Sequence, residues 1–217
     1  MNILLLGATG RTGKLVLQEA LEQGHRVHCL ARKSSRIAKQ EGLSIFEGNA
    51  HDTADLDKAI QNCQAVISVL NISRSSDFPW SSLRTPPHYM SEVMSRLIPI
   101  AKKQDIKRIS LCSAWGVAET KEDIPIWFKW MIDYSNIGPA YKDHERQERM
   151  LEESKLDWTI VRPVGLSNVK SQESIKESLN NHPKPSLLIS RKSLAKYLVA
   201  SLENEELIHK KIVISKA

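Results

Sequence analysis

Short apolar runs alternate along most of this chain with longer stretches in which apolar residues recur every three or four positions. The short runs are typical of buried strands, and the longer stretches are typical of amphipathic helices. The pattern predicts strands at 2–6, 26–31, 43–46, 64–70, 107–112, 157–161 and 211–215, and helices at 11–23, 53–61, 88–104, 139–154 and 190–203. Because strands and helices alternate, we expect an α/β fold, a doubly wound parallel sheet of Rossmann-like order, in a single domain over residues 1–217.

Three stretches fall between the predicted elements, at about 73–89, 115–139 and 163–189. We expect them to be loops that build a substrate site, since loops at the carboxyl ends of parallel strands commonly do so. The first two contain most of the tryptophans. These aromatic residues could wall a flat pocket or could form the core of an amphipathic helix, and the sequence leaves both open for Trp80, Trp115, Trp127 and Trp130.

Glycines spaced three apart follow the first apolar run, at Gly7, Gly10 and Gly13. Gly7 would allow a tight exit from the strand, Gly10 would let the backbone approach a phosphate, and Gly13 would let the next helix pack closely. The turn also follows a strand and precedes a helix, which is the context that this motif requires. The sequence therefore predicts a dinucleotide-binding turn formed by Gly7, Thr9, Gly10, Arg11, Thr12 and Gly13.

The end of the second predicted strand discriminates between NADH and NADPH. An acidic residue there would bind the ribose 2′-hydroxyl and repel a 2′-phosphate, but the strand runs instead into Arg32 and Arg36. Guanidinium groups bind phosphate in bidentate fashion, so we expect these arginines, with Arg11, to favour NADP(H). The alternative is a solvated basic turn.

The amino-acid composition limits the classes of partner that we expect for this chain. The 217 residues have 41% hydrophobic content, enough for one sizeable core, and a formal charge of +6 that is scattered among acids. We expect a phosphate-bearing ligand, no nucleic-acid partner and no membrane segment. The three cysteines are far apart in the sequence, and we expect them to be reduced. A strand that begins at residue 2 leaves no room for a signal peptide. We therefore expect a cytoplasmic protein. The pair His25 and His28 is too small for a metal site, and none is expected.

Several segments together resemble a known family. The glycine turn, the basic turn at Arg32, residues 111–114 and the run 156–163 are similar to those of NmrA-like atypical short-chain dehydrogenase/reductases, most of all the flavin reductase and biliverdin-IXβ reductase branch. The resemblance implies a monomer or homodimer with the nicotinamide near Ser113 and Pro163, and further cofactor contacts at Asn49, Ala50 and Leu70. Val164 occupies the position at which the biliverdin-reducing members carry histidine. This difference argues against biliverdin as the substrate.

The proton-donating pair of the wider superfamily is missing. Tyr-x-x-x-Lys lets a tyrosine protonate a developing alkoxide, but neither Tyr134 nor Tyr141 has a lysine four residues on. His144 stands about where that lysine would be and could relay a proton near neutral pH, although a lone helical histidine is often a surface or capping residue. Ser113, at the end of a central strand, could face the nicotinamide or the substrate or could be a turn residue.

Two functions remain open from the sequence. The first is an NADPH-dependent reductase of a small planar conjugated acceptor of the flavin or quinone type, because such acceptors delocalise charge and need no strong acid. The second is a non-catalytic NADP-binding regulator, which the resemblance permits. On the first hypothesis, Ser113 and His144 are the candidate catalytic residues.

Overall fold

Eight strands form one sheet in the computed structural model, which describes residues 1–32, 37–169, 171 and 173–217. The strands of the described residues are β1 (Asn2–Leu6), β2 (Arg26–Ala31), β3 (Leu43–Glu47), β4 (Ala65–Ser68), β5 (Arg108–Cys112), β6 (Asp157–Pro163), β7 (Gly165–Ser167), β8 (Ile175–Ser178), β9 (Leu188–Ser190) and β10 (Lys210–Lys216). The order across the eight-stranded sheet is β3-β2-β1-β4-β5-β6-β10-β8, and a separate parallel pair is formed by β7 and β9.

Helices cover both faces of the sheet. They are α1 (Arg11–Glu22), α2 (Thr53–Ile60), α3 (Tyr89–Lys103), α4 (Ile126–Tyr134), α5 (Gly138–Glu152) and α6 (Arg191–Ala200), with short 3₁₀ segments at Ala118–Glu122 and Glu205–Leu207. Successive residues of β1 alternate between two cores: Ile3 and Leu5 pack with α1 and α6, whereas Leu4 and Leu6 pack with α2 and α3. A strand buried on both faces requires the continuous apolar run seen in the sequence.

The strand order reverses at β1, which pairs with β2 on one side and β4 on the other. Doubly wound sheets bind ligands outside the carboxyl ends of the strands at such a switch point. The predicted α/β class and Rossmann-like order are therefore confirmed. One edge differs from the expected all-parallel sheet, because β8 pairs antiparallel with β10.

Two of the three expected loops contain regular structure, so the prediction of loop throughout was wrong there. Residues 115–139 hold a 3₁₀ segment and α4, and residues 163–189 hold β7, β8 and part of β9. The sequence left a helix open around Trp127 and Trp130 but did not favour it, because α4 has one buried residue, Ile132, and so lacks the buried apolar stripe that marks a helix. Residues 73–89 do form a loop up to the start of α3, crossed by a single bridge between Arg74 and Leu83.

None of the helices in the described part of the chain has the length and apolar content that crossing a bilayer requires.

Candidate functional site

A cavity of about 620 Å³ lies along the carboxyl edge of the sheet, at the switch point. Its walls come from the glycine turn, from the residues that follow β2, β4, β5 and β6, and from α5 and the first residue of α6. It brings together nearly all the residues singled out in the sequence: Gly7, Thr9, Gly10, Arg11, Thr12, Gly13, Arg32, Ala50, Leu70, Ser113, His144 and Pro163. Arg36 lies outside the described residues.

The glycine turn has the geometry of an anion cradle. Gly7 has φ +91°, and a Cβ there would lie 3.0 Å from the carbonyl of Val69; a Cβ at Gly13 would lie 2.0 Å from the Gly7 oxygen. Other residues are therefore excluded at both positions. Gly10 precedes α1 in an extended conformation and offers no side-chain cap, so the first turn of α1 meets the cavity with its backbone N–H groups available to an anion. A dinucleotide pyrophosphate fits this arrangement.

Asn49 does not line the cavity, unlike its neighbours Gly48 and Ala50. Its backbone N–H donates to Asp55 Oδ2 at 2.8 Å, and its side-chain Oδ1 accepts from the N–H of His51 at 3.1 Å. The side-chain oxygen is thus used inside the turn before α2, and a cofactor contact at Asn49 stays a prediction. Arg32 is exposed at the rim, where the basic turn was expected.

Ser113 stands at the opposite part of the cavity, just beyond β5. Its backbone N–H donates to the Val161 carbonyl at 2.8 Å, which fixes the residue against β6. The side chain is only 4% exposed, and its Oγ has no hydrogen-bond partner among the described residues. A buried hydroxyl without a partner carries a free-energy cost that a bound molecule can relieve.

His144 is buried on α5 and lines the same cavity. The Gln147 Nε2 donates to His144 Nδ1 at 2.7 Å, which leaves the proton of the neutral ring on Nε2. Burial lowers the pKa of His144 from 6.5 to about 4. The imidazole is therefore neutral at pH 7, and a part for His144 in proton transfer stays a prediction.

Tyr141 was set aside in the sequence because it lacks a lysine partner, yet it lines the cavity one helical turn before His144. Its ring meets Phe128 edge-on, with centroids 6.0 Å apart. Burial raises the pKa of its hydroxyl, so Tyr141 is a hydrogen-bond donor and a weak acid. The i, i+3 spacing from His144 was the available signal, since residues so spaced share a helix face.

Two buried ionic groups hold the walls in place. Asp143 accepts hydrogen bonds from the backbone N–H of Met90, at 2.7 Å, and of Ser91, and so caps α3 from α5. Arg162, 1% exposed, donates to both carboxylate oxygens of Glu148, which is equally buried, and also to Glu119. These contacts fix α5 and the end of β6, next to Pro163.

The loop 73–89, here termed the strap, is fastened at two places. Arg11 forms a bidentate ion pair with Asp77, at 2.7 and 2.9 Å. Further along, Trp80 Nε1 donates to the Tyr134 carbonyl at 2.8 Å, and the amide of Asn136 donates to the Trp80 carbonyl at 2.9 Å. The strap therefore joins the glycine turn to the segment between α4 and α5.

The structure supports the pocket-wall interpretation for Trp115 and neither interpretation for Trp127 and Trp130. Trp115 is buried and lines the cavity. Trp127 and Trp130 are 59% and 55% exposed, so they form neither a pocket wall nor a helix core, and Trp130 instead packs against the exposed Trp80, with centroids 5.9 Å apart.

Comparison with known proteins agrees with this geometry. Residues 7–205 match the family model described as NAD(P)H-binding. Among curated proteins, the oxidoreductase GME11367 of Pestalotiopsis microspora is 27% identical over 93% of this chain and 79% of its own length. The photosystem II assembly factor Ycf39 of Synechocystis sp. is 26% identical over 97% of this chain, which spans only 61% of that protein.

Solved structures share the fold. A short-chain dehydrogenase/reductase from Veillonella parvula, determined in complex with NADP, has a TM-score of 0.79 and 19% identity, covering 99% of this chain and 94% of its own. The anaerobillin reductase ChuY from Escherichia coli O157:H7 has a TM-score of 0.80 and 21% identity, covering 100% and 97%.

Proposed function

This chain belongs to the NAD(P)H-binding family, and we propose that it is an NADPH-dependent reductase whose acceptor is a small planar conjugated molecule of the flavin or quinone type. It is an NAD(P)H-dependent oxidoreductase by its family and by the oxidoreductases that it resembles. The preference for NADPH and the class of acceptor are the proposed part.

One observation carries the proposal: a single cavity is lined both by the glycine turn and by Ser113, whose buried hydroxyl has no hydrogen-bond partner within the described part of the chain. Bound NADPH supplies a hydride. The uncapped start of α1 would hold the pyrophosphate, and the Ser113 hydroxyl would donate a hydrogen bond to the nicotinamide or to the acceptor. Both parts lie at the carboxyl edge of the sheet, where this fold binds its ligands.

The acid–base groups that line the cavity with Ser113 support the proposed class of acceptor. His144 is neutral at pH 7, and burial raises the pKa of Tyr141, so both can donate hydrogen bonds and neither is a strong proton donor. A simple ketone would develop a localised alkoxide that needs such a donor. A flavin or quinone spreads the incoming charge over its rings, so positioning between cavity walls is sufficient.

The charge at the rim of the cavity favours NADPH over NADH. Arg32 follows β2 at the position where an acid would select NADH, and its exposed guanidinium at the cavity rim would bind a 2′-phosphate. Arg36, also expected to contribute, is outside the described residues.

The test is oxidation of NADPH followed at its absorbance maximum with FMN, menadione and cyclohexanone as acceptors. We expect turnover with the first two and little with the ketone. Ser113→Ala should slow turnover, whereas Ser95→Ala, on the exposed side of α3, is the matched control and should not. Efficient reduction of cyclohexanone would contradict the proposal.

A second candidate function is a nucleotide-dependent regulator that binds another protein. The observation in its favour is the exposed aromatic surface formed by the successive ring contacts of Phe78, Trp80, Trp130 and Tyr134, since monomeric proteins rarely expose such a patch. One relative is named as an assembly factor. Tight NADPH binding without steady oxidation by any acceptor would favour this candidate over the reductase.

A further inference from the structure

The helix α4 turns its apolar side outwards. Four of its residues share an arc of about 100° around the helix axis at 3.6 residues per turn: Ile126, Trp127, Trp130 and Tyr134. All four side chains are more than half exposed, whereas Ile132, on the opposite side of the helix, is buried. An amphipathic helix ordinarily packs such a stripe against a core, so the described part of the chain leaves this stripe without its cover.

The strap widens the stripe into a continuous surface. The rings of Phe78 and Trp80 lie 5.3 Å apart, and Trp80 meets Trp130 of α4 at 5.9 Å between centroids. Trp130 meets Tyr134 in turn, at 5.7 Å. Six side chains, here termed the docking face, make up this surface, and none of them lines the cavity: Phe78, Trp80, Ile126, Trp127, Trp130 and Tyr134.

The docking face is large enough to be an interface. Its six side chains are between 43% and 84% exposed. Because a whole aromatic side chain has about 150–250 Å² of surface, roughly 600–800 Å² of the docking face is open to water. The largest apolar patch on a typical monomer covers about 300–600 Å², whereas each partner in a standard protein interface buries about 800 Å². The docking face with its rim therefore has the area that stable association of two chains needs.

The charge around the docking face favours a second copy of this chain over a lipid surface. The strap and residues 118–137 together carry four basic and five acidic residues, a formal charge of −1, although the whole chain carries +6. Anionic bilayers attract basic surfaces, and this part of the chain is not basic. Two copies of a nearly neutral surface meet without strong repulsion.

Ion pairs within the chain account for much of this neutrality. Three of them lie on α4, on the segment before it and at the strap: Lys121 with Asp133, Lys129 with Glu122, and Arg11 with Asp77. Charges that are already paired do not require a partner of opposite charge. A surface of this composition is therefore complementary to itself, as a two-fold contact requires.

The docking face is held in shape by the chain itself. Trp80 Nε1 donates to the Tyr134 carbonyl, and the Asn136 amide donates to the carbonyls of Trp80 and Ser81. These bonds tie the strap to α4. A surface that is fixed before association loses less conformational entropy when a partner binds.

We propose that two copies of this chain form a two-fold symmetric dimer through the docking face. Trp130 lies in the middle of the row of rings, between Trp80 and Tyr134, and is the residue that we expect to contribute most to the contact. The proposal goes beyond the proposed function and does not depend on it. In such a dimer the aromatic surface is used between copies, and a protein-binding regulator would need another surface.

Sedimentation velocity over a hundredfold range of protein concentration tests the proposal without any turnover. We expect the wild type to become a dimer as its concentration rises. Trp130→Gln and Ile126→Lys should each raise the dissociation constant of the dimer by about tenfold or more, as the loss of a central apolar side chain does. Leu187→Gln is the matched control and should not, since Leu187 is 52% exposed and lies outside the docking face.

NADPH titration verifies that the variants are folded, because the docking face lies outside the cavity lining. If Trp130→Gln fails to bind NADPH, Ile126→Lys decides the matter, since a side chain that is 84% exposed contributes little to the core.

A wild type that remains a monomer at every concentration would overturn the proposal. A dimer whose dissociation constant is unchanged in Ile126→Lys would overturn it as well. Cosedimentation with vesicles of phosphatidylcholine and phosphatidylglycerol tests the other occupant. A monomer that binds these vesicles, and loses that binding in Trp130→Gln, would overturn the dimer in favour of a lipid surface.

Discussion

Replacing His144 with asparagine should make the protein more resistant to acid. The folded protein holds this imidazole neutral, with a pKa lowered by burial to about 4, whereas the unfolded chain takes up the proton near the ordinary value of 6.5. Between these pH values the unfolded state binds more protons than the folded state, so stability falls as the pH falls. The stabilising contribution is complete above pH 6.5 and is lost by pH 4.

The size of the effect follows from the two pKa values. Their difference corresponds to about 3 kcal/mol of unfolding free energy lost between pH 7 and pH 4. Asparagine keeps an acceptor that Gln147 can reach and has no group that titrates in this range. At pH 7 we expect the variant to be less stable by about 1–2 kcal/mol, because a buried ring is lost.

Urea unfolding at pH 7, 5.5 and 4 measures both effects. The gap between wild type and His144→Asn should close on acidification and reverse near pH 4. His182→Asn controls for removal of an exposed imidazole. A constant gap across the three pH values would refute the burial argument and restore His144 as a group free to titrate near neutral pH.

Three other predictions concern the cofactor, the acceptor end and the buried ion pair. Arg32→Glu should reduce the preference for NADPH over NADH by about tenfold or more, since the charge that would meet the 2′-phosphate changes sign; equal dissociation constants for the two cofactors in the wild type would contradict this. Ser113→Ala should lower kcat by about 5- to 30-fold, the loss of one hydrogen bond, and a loss of several orders of magnitude would mean that a strong proton donor has been overlooked. Glu148→Gln should cost about 3–5 kcal/mol in chemical unfolding, because it leaves the buried Arg162 without its fully buried partner. Glu153→Gln, at the exposed end of α5, is its control and should change little.

Most of the fold could be predicted because local pattern and tertiary structure agree. The run before Gly7 became β1 with the same bounds, and the helix expected at 139–154 is α5 at Gly138–Glu152. The failures lie where burial is unusual. The helix α4 exposes Trp127, Trp130 and Tyr134, and β8 is an edge strand in which charged and polar residues interrupt the apolar pattern.

The residues of the candidate site likewise fall into those that the sequence could predict and those that it could not. The glycines could be predicted because backbone geometry alone demands them, as the positive φ of Gly7 shows. The pairing of Asp77 with Arg11 could not, since the two residues meet only when the strap reaches the glycine turn. The neutral state of His144 depends on burial by distant residues, which spacing does not encode.

The ion-pair network of Arg162 has a consequence for sequence divergence. The three residues Glu119, Glu148 and Arg162 lie on the 3₁₀ segment Ala118–Glu122, on α5 and on β6. Because they are distant in the sequence, a change within one segment alters one of them and leaves its partners in place. An ancestor that lost the carboxylate of Glu148 would have kept the buried charge of Arg162 without its buried partner until Arg162 also changed. Homologous chains should therefore retain the pair Glu148 and Arg162 or replace both, and chimaeras that exchange α5 without β6 should fail to fold when they mix the two states.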